Sequence, residues 1–428
     1  NDLKGVVIMK KSIMSSVLVA TTLLSSIPAL NSGHVAHADS MSPLTTKGKE
    51  IQKDGHNYRL KGVNAGNVFT TEQWLGGLGS AKHKDYKSIN DEMDGKYGAK
   101  KTHQLLDKYT ENRWEDKDFQ NLKDMGMNTI RLPINYINLT NYKAGMAPKD
   151  LKMRKEPFKA MDKFIDKANS HGLYVIIDMH GVPGSQNGQE HSAEANGSIG
   201  NFWKDPDAQG KAKEIWYQIA QHYKNNNGVA GYDLLNEPKA PAQHVDEEVK
   251  EFYKGALKAI RDTGDKHIAF LEAWYPQDLK DPQEFNDPTN NIVYEYHKYP
   301  YNKETTSHKG IQDTFDRELE TLNDKASHYN VPTYLGEFNA HYAGSPGPEG
   351  KNPVNPNKDD FDHIFKSFKN KENSKISWTL WNYDIENNQS WGPINFKGIN
   401  VDENSNDFGK KEGAYINHDV YDTIKNNQ

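Results

Sequence analysis

Two stretches place a carboxylate where an apolar run gives out. In YDLLNEPKAP, residues 232–241, the run ends on Asn236 and Glu237 and stops at Pro238, which has no N–H to extend a ladder. In YLGEFNAHY, residues 334–342, Glu337 holds a similar place. Two carboxylates from different strands suit glycoside hydrolysis: one gives a proton to the departing sugar oxygen, and the other attacks the anomeric carbon. Their surroundings must push their proton affinities apart. Arg131 beside Glu337 would favour its charged form. Asn236 could donate to the sugar 2-hydroxyl, Tyr299 could orient the nucleophile, and Trp381 could form the floor under the reacting sugar. His180 and His297 also sit at the ends of apolar runs, as do Asn64 and Asn67. Taken singly, each has a plain explanation, such as a surface ion pair, a satisfied core histidine or a solvated strand end. Taken jointly, solvation does not explain why they fall at the same end of the runs.

Positioning such a set requires a scaffold. Eight short apolar runs read as strands: 59–67, 128–135, 174–180, 229–237, 267–273, 291–299, 333–339 and 376–384. Several are apolar on almost every residue of their first half, as strands buried on both faces should be. Helical patterns lie between most of them, at 156–170, 205–225, 245–262 and 311–329, with a closing helix at 414–426. Strands alternating with helices over this length predict a (β/α)8 barrel, whose strand C-termini converge on one functional face. An open doubly wound sheet would need a glycine-rich phosphate turn after the first strand, and none is present. Segments 70–114, 341–359 and 385–412 are too long for simple connections and are expected to be extended loops at the C-terminal face.

The 428-residue chain has a net charge of −6 and no cysteine. The charge gives no basic excess to neutralise phosphates, which argues against a nucleic-acid partner. Without cysteine there is no disulfide framework, so stability must come from an ordinary core. Met9-Lys10-Lys11, a mostly apolar run at 13–30 and Ala36-His37-Ala38 have the three regions of a cleaved secretory signal. Residues 1–38 are therefore expected to be an upstream extension and leader. Residues 39–428 are expected to form one exported, monomeric catalytic domain, with no stable membrane insertion after cleavage.

The motifs together resemble the family 5 glycoside hydrolases of the large retaining-glycosidase clan, in order from Gly62 to Trp381. The resemblance implies a general acid/base at Glu237 in Asn-Glu-Pro and a nucleophile at Glu337 in Gly-Glu-Phe. It also implies active-site roles for Arg131 in IRLPINY, His180 in IDMHG, Asn236, His297 and Tyr299 in YHKYPY, and Trp381 in WTLWNYD. DMHGVPGSQNG, residues 178–188, is similar to a loop of the exo-β-1,3-glucanase branch, and GVNAGNVFTTEQW to an early segment of it. That likeness implies substrate contacts from Glu72 and Asn187. The chain departs from the branch at Gly66-Asn67-Val68, where the branch has Gly-Gly-Trp. The implied substrate is a β-linked oligo- or polysaccharide, or a glycolipid, cleaved without cofactor or metal by an exo-acting enzyme; endo action is the alternative within the family. Two readings come from other classes. A metal-dependent barrel hydrolase would use His180, Glu190, His191 and His297 as ligands. A non-catalytic carbohydrate-binding barrel would need the aromatics but not the two glutamates.

Overall fold

The computed structural model describes residues 40–197, 200–241, 245–273, 279, 281–342, 353–387 and 389–428. The expected leader, 1–38, lies outside the described residues, as does most of the expected loop 341–359. Eight parallel strands close into a barrel: β1 (Lys61–Asn64), β2 (Thr129–Asn135), β3 (Tyr174–Gly181), β4 (Val229–Asp233), β5 (Ile268–Glu272), β6 (Ile292–Lys298), β7 (Thr333–Phe338) and β8 (Ser377–Leu380). Each pairs with the next, and β8 pairs with β1. Every residue of β2, β3, β4, β5, β7 and β8 is buried, because helices cover one face and the barrel interior the other.

Most strands are shorter than the sequence suggests, and the largest differences fall at the functional ends of β1, β4 and β8, whereas β3 runs one residue further, to Gly181. β4 stops at Asp233, so Asn236 and Glu237 stand in the turn beyond it rather than on the strand. Asn67, Tyr299 and Trp381 likewise lie just past β1, β6 and β8.

Segment 70–114 is not one irregular loop. It carries α1 (Tyr86–Tyr97) and α2 (Ala99–Arg113), followed by α3 (Asp116–Asp124). The Asp85 side chain caps α1 by accepting from Ser88 N–H. Leu105, Leu106, Tyr109 and Arg113 give α2 a buried face, which abundant lysine hides in the composition. The remaining barrel helices are α4 (Lys159–Ser170), α5 (Pro206–Tyr223), α6 (Val245–Arg261), α7 (His308–Tyr329) and α8 (Lys358–Lys369). α4 starts later than its apolar pattern because Pro157 disfavours helix at the residue before it. α5 starts at Pro206 because Asp205 caps it, and α7 starts at His308 because Ser307 does.

Segment 385–412 also carries structure. Asp384–Glu386, Ile394–Phe396 and Tyr415–Ile416 form one small sheet, and Gly398–Ile399 pairs with Lys411–Glu412. Residues 415–416 are thus strand, and the closing helix α9 (His418–Asn426) starts after them. A buried ion cluster ties this region to α2 and α3. Lys411 Nζ lies 2.8 Å from Asp118 Oδ1 and 2.7 Å from Asp384 Oδ2, and Arg113 lies 3.4 Å from Asp384.

At the opposite end, an antiparallel ribbon (Leu44–Lys47, Glu50–Lys53, His56–Asn57) seals the barrel floor. Met41, Leu44 and Ile51 pack there against Leu60, Tyr174, Ile176 and Phe270.

Candidate active site

The C-terminal strand ends open into a cleft of about 1470 Å³, lined by Glu72, Trp74, His180, His191, Glu237, His297, Tyr299, Glu337, Trp381 and Trp391 among others. Arg131 on β2 organises its base and is fully buried. Its Nη1 donates to Glu337 Oε1 (2.8 Å) and Asn64 Oδ1 (2.9 Å), and its Nη2 to Asp233 Oδ2 (2.7 Å) and Asn236 Oδ1 (2.8 Å). Asp178 and Glu295 stand 3.2 and 3.3 Å away. Burial would strip the charge from an isolated guanidinium, but these carboxylates more than offset it and hold Arg131 protonated.

Glu337 sits near the end of β7. The hydroxyl of Tyr299 donates to its second oxygen at 2.9 Å. Burial, then the charge of Glu337, pushes the Tyr299 hydroxyl upward, so it remains a donor. Gly336 beside it is required by close approach, since a Cβ there would lie 1.7 Å from Glu295 Oε1.

Glu237 is held differently. Its φ is +46°, the left-handed region that a non-glycine residue seldom adopts. The turn is fixed through its backbone. Its N–H donates to Glu272 Oε2 (2.6 Å), and its carbonyl accepts from Asn187 Nδ2 (3.0 Å). Gln186 Nε2 donates to Asn236 O at 2.8 Å. Each carboxylate oxygen meets an imidazole: Oε1 meets His297 Nδ1 at 3.0 Å, and Oε2 meets His191 Nε2 at 2.9 Å. Burial raises the proton affinity of Glu237, but the hydrogen bond and charge of His191, then those of His297, outweigh it and hold the group well below the usual carboxylate range. His191 is correspondingly drawn up to about 9 against the effect of burial.

His180 is buried, kept neutral by desolvation, bonded to Asp178 (2.7 Å) and stacked on Trp381 at 5.5 Å. Glu72 is buried and accepts from Trp74 Nε1 at 2.6 Å; burial raises it to about 7. Of the ten site residues singled out from the sequence, Arg131, Asn236 and Asn187 are fully buried and do not themselves line the cleft. Asn187 has its Oδ1 taken by Gln189 N–H and Ser192 Oγ. It braces the Glu237 turn from behind.

The four donors weighed for a metal are not gathered into one set. His180 turns to Asp178 and His191 to Glu237. Among the described residues the close donor groups are Glu237–His297–Glu337 and Glu272–Glu295–His297.

Sequence reasoning missed a buried acidic layer made of Asp178, Asp233, Glu272 and Glu295. A signal existed, since each is a lone acid inside an apolar strand, and pairing sets Asp178 beside Asp233 and Glu272 beside Glu295. It also missed Trp74 and Trp391, which meet edge to face at 4.9 Å on the cleft rim.

Among the described residues, no helix is long and apolar enough to cross a membrane. A family model described as Cellulase (glycosyl hydrolase family 5) matches residues 90–387. A β-xylosidase of Phanerodontia chrysosporium is 28% identical over 346 residues, covering 78% of this chain and 69% of the relative. A glucan 1,3-β-glucosidase of Blumeria graminis is 26% identical over 280 residues, covering 63% of this chain and 62% of the relative. Among solved structures, an endogalactoceramidase matches with a TM-score of 0.58 at 17% identity, covering 90% of this chain and 85% of that one. A rutinosidase from Aspergillus niger matches with a TM-score of 0.59 at 15% identity, covering 78% and 92%. At those identities the structural likeness is one of fold.

Proposed function

Because the chain belongs to glycosyl hydrolase family 5, we propose that it hydrolyses β-linked glucosides and glucans by double displacement, with Glu337 as nucleophile and Glu237 as general acid and base. One observation carries this reading: an oxygen of Glu237 and an oxygen of Glu337 lie within 4.8 Å of each other. Inverting enzymes hold their carboxyl groups roughly 6.5–9.5 Å apart to seat a water, whereas direct attack needs a shorter gap. Glu337 attacks the anomeric carbon while Arg131 and Tyr299 hold its two oxygens. Glu237 delivers a proton to the departing oxygen, then takes one from the water that releases the glycosyl-enzyme. Asn236 has its Oδ1 pinned by Arg131, while its buried Nδ2 has no partner, which suits a donor to the sugar 2-hydroxyl. Trp381 floors the sugar, and Glu72 contacts its hydroxyls. Asn187 acts through the Glu237 turn rather than on the substrate.

Exo action is the finer part of this reading. Trp74 and Trp391, backed by His341 stacked on Trp391 at 4.8 Å, wall the cleft on the Glu72 side and favour single-residue cleavage. Export, as read from residues 9–38, completes it. A second reading, a glycolipid or other bulky aglycone, is favoured by the cleft's extension past Ala273 to Tyr296, Tyr301 and Tyr342. Hydrolysis of laminari-, cello- and gentio-oligosaccharides and of aryl β-glucosides, followed by proton NMR, tests the proposal. β-Glucose released first, as single units, is the expected result. α-Product would overturn the two-step mechanism, and longer β-fragments would overturn exo action alone. Cleavage of glycolipids but not of oligosaccharides would select the second reading.

A further inference from the structure

An acid that shuttles one proton needs somewhere to keep it. Glu237 has two imidazole neighbours, and they are not equivalent. His297 is enclosed: its Nε2 faces Glu295 (3.3 Å), and its Nδ1 faces Glu237, Glu272 (3.4 Å) and Glu337 (3.5 Å). With acidic groups at both ring nitrogens, its proton affinity is raised well above the usual imidazole range against the effect of burial.

His191 is poised instead. It rides on the short turn Glu190–Ser192 at the cleft wall, with its side chain 25% exposed. Its Nε2 meets a carboxylate on one side, at 2.9 Å, and the Asn187 amide on the other, at 3.3 Å. The orientation of that amide is set by the backbone N–H of Gln189, which donates to Asn187 Oδ1 at 2.9 Å, so Nδ2 is the atom aimed at the imidazole. A donor at Nε2 favours the unprotonated ring, while the carboxylate favours the protonated one. Around the pair stand Glu72 and Glu337 across the cleft, His180 with its ring 5.9 Å from that of His191, Glu190 on the same turn, and His297 with Glu272 behind Glu237.

We propose that His191 is a positioning residue that shares the catalytic proton with Glu237, so that the acid of this enzyme is a carboxylate–imidazole pair. The proposal rests on the reading of Glu237 as the acid. In the first step the glycosidic C–O bond breaks, Glu337 bonds to the anomeric carbon, and the shared proton passes to the leaving oxygen. Glu237 is left ionised and His191 neutral. In the second step the attacking water forms the new C–O bond and returns its proton to the pair, and the Glu337 ester bond breaks. The basic limb of the rate profile then reports loss of the last proton from the pair, not from Glu237 alone.

The test is kcat/KM against pH for wild type, His191→Gln and His191→Asn, on phenyl and 2,4-dinitrophenyl β-glucosides, normalised to active sites titrated with a 2-deoxy-2-fluoro glycoside. Removing the imidazole leaves Glu237 beside the His297 cation only, so its basic limb should move to lower pH by about one unit or more. The phenyl substrate should lose roughly 10- to 100-fold at neutral pH, within the range of acid catalysis. The dinitrophenyl substrate, which needs little proton help, should stay within about threefold. Equal losses on both glycosides, or a basic limb that does not move, would overturn the role of His191 while leaving the two-glutamate mechanism standing. Wild-type enzyme inactive on both glycosides would overturn that mechanism and this proposal together.

Discussion

Glu237 and Glu337 share a cleft but are built for opposite tasks. Glu337 rises from a strand and accepts from Arg131 and Tyr299, whereas Glu237 sits in a left-handed turn between two imidazoles. Removing each should therefore leave a different signature. Glu337→Ala should abolish turnover of every glycoside. Glu237→Ala should cost roughly 10²- to 10⁴-fold on poor leaving groups and far less on dinitrophenyl glycosides, read from kcat/KM across a leaving-group series. Tyr299→Phe removes one donor to a charged oxygen. At about 1.5–3 kcal/mol for such a bond, kcat should fall roughly 10- to 150-fold with KM little changed, measured by steady-state kinetics on one aryl glucoside. The identities of these residues were legible in the sequence because each ends an apolar run. The role of His191 was not, because its turn carries no periodic signal and its partner lies 46 positions away in the chain.

The elements that carry the site were legible to the extent that they repeat a period. All eight strands were readable from apolar runs, yet most of their last residues were not. Beyond Asp233 the Leu234 N–H still donates to Phe270 O on β5 and the Asn236 N–H to Met179 O on β3, but the Glu237 N–H turns to the Glu272 carboxylate. Such exchanges belong to tertiary structure and leave no mark on a single strand. The insertions were hidden for a related reason. The sheets spanning 384–416 are short, and what fixes them is the Lys411 cluster, whose members Asp118 and Asp384 come from distant parts of the chain. Lys411→Ala should leave buried Asp118 without its cation and Asp384 with Arg113 alone, and cost about 3–5 kcal/mol, measurable by urea unfolding. Lys411→Arg should recover part of the loss.

Taken as a whole, the molecule buries more acid than its mild net charge suggests. Burial raises Asp178 to about 8, and Asp233 and Glu295 each to about 7, while His191 is drawn to about 9. The folded state thus holds protons that the unfolded chain, with carboxyls near 4 and imidazoles near 6.5, has already lost, so stability falls as pH rises through these values. His180 and His341 are held neutral by burial and act in the opposite sense, but only below about 6.5. The melting temperature should therefore decline between about pH 7 and pH 9, and Asp178→Asn should flatten part of that decline in a calorimetric pH series. A rise over that interval would contradict the assignment of protons to the acidic layer. The ribbon at the barrel floor has a consequence of a different kind. Ser42 accepts from the Tyr174 hydroxyl at 2.7 Å, and Met41 is buried beside it, so the chain joins the barrel at the end remote from the cleft. A tether grafted at Ser40, whether to a bead, a fibre or a second enzyme, would hold the molecule by its base and leave its mouth facing outward.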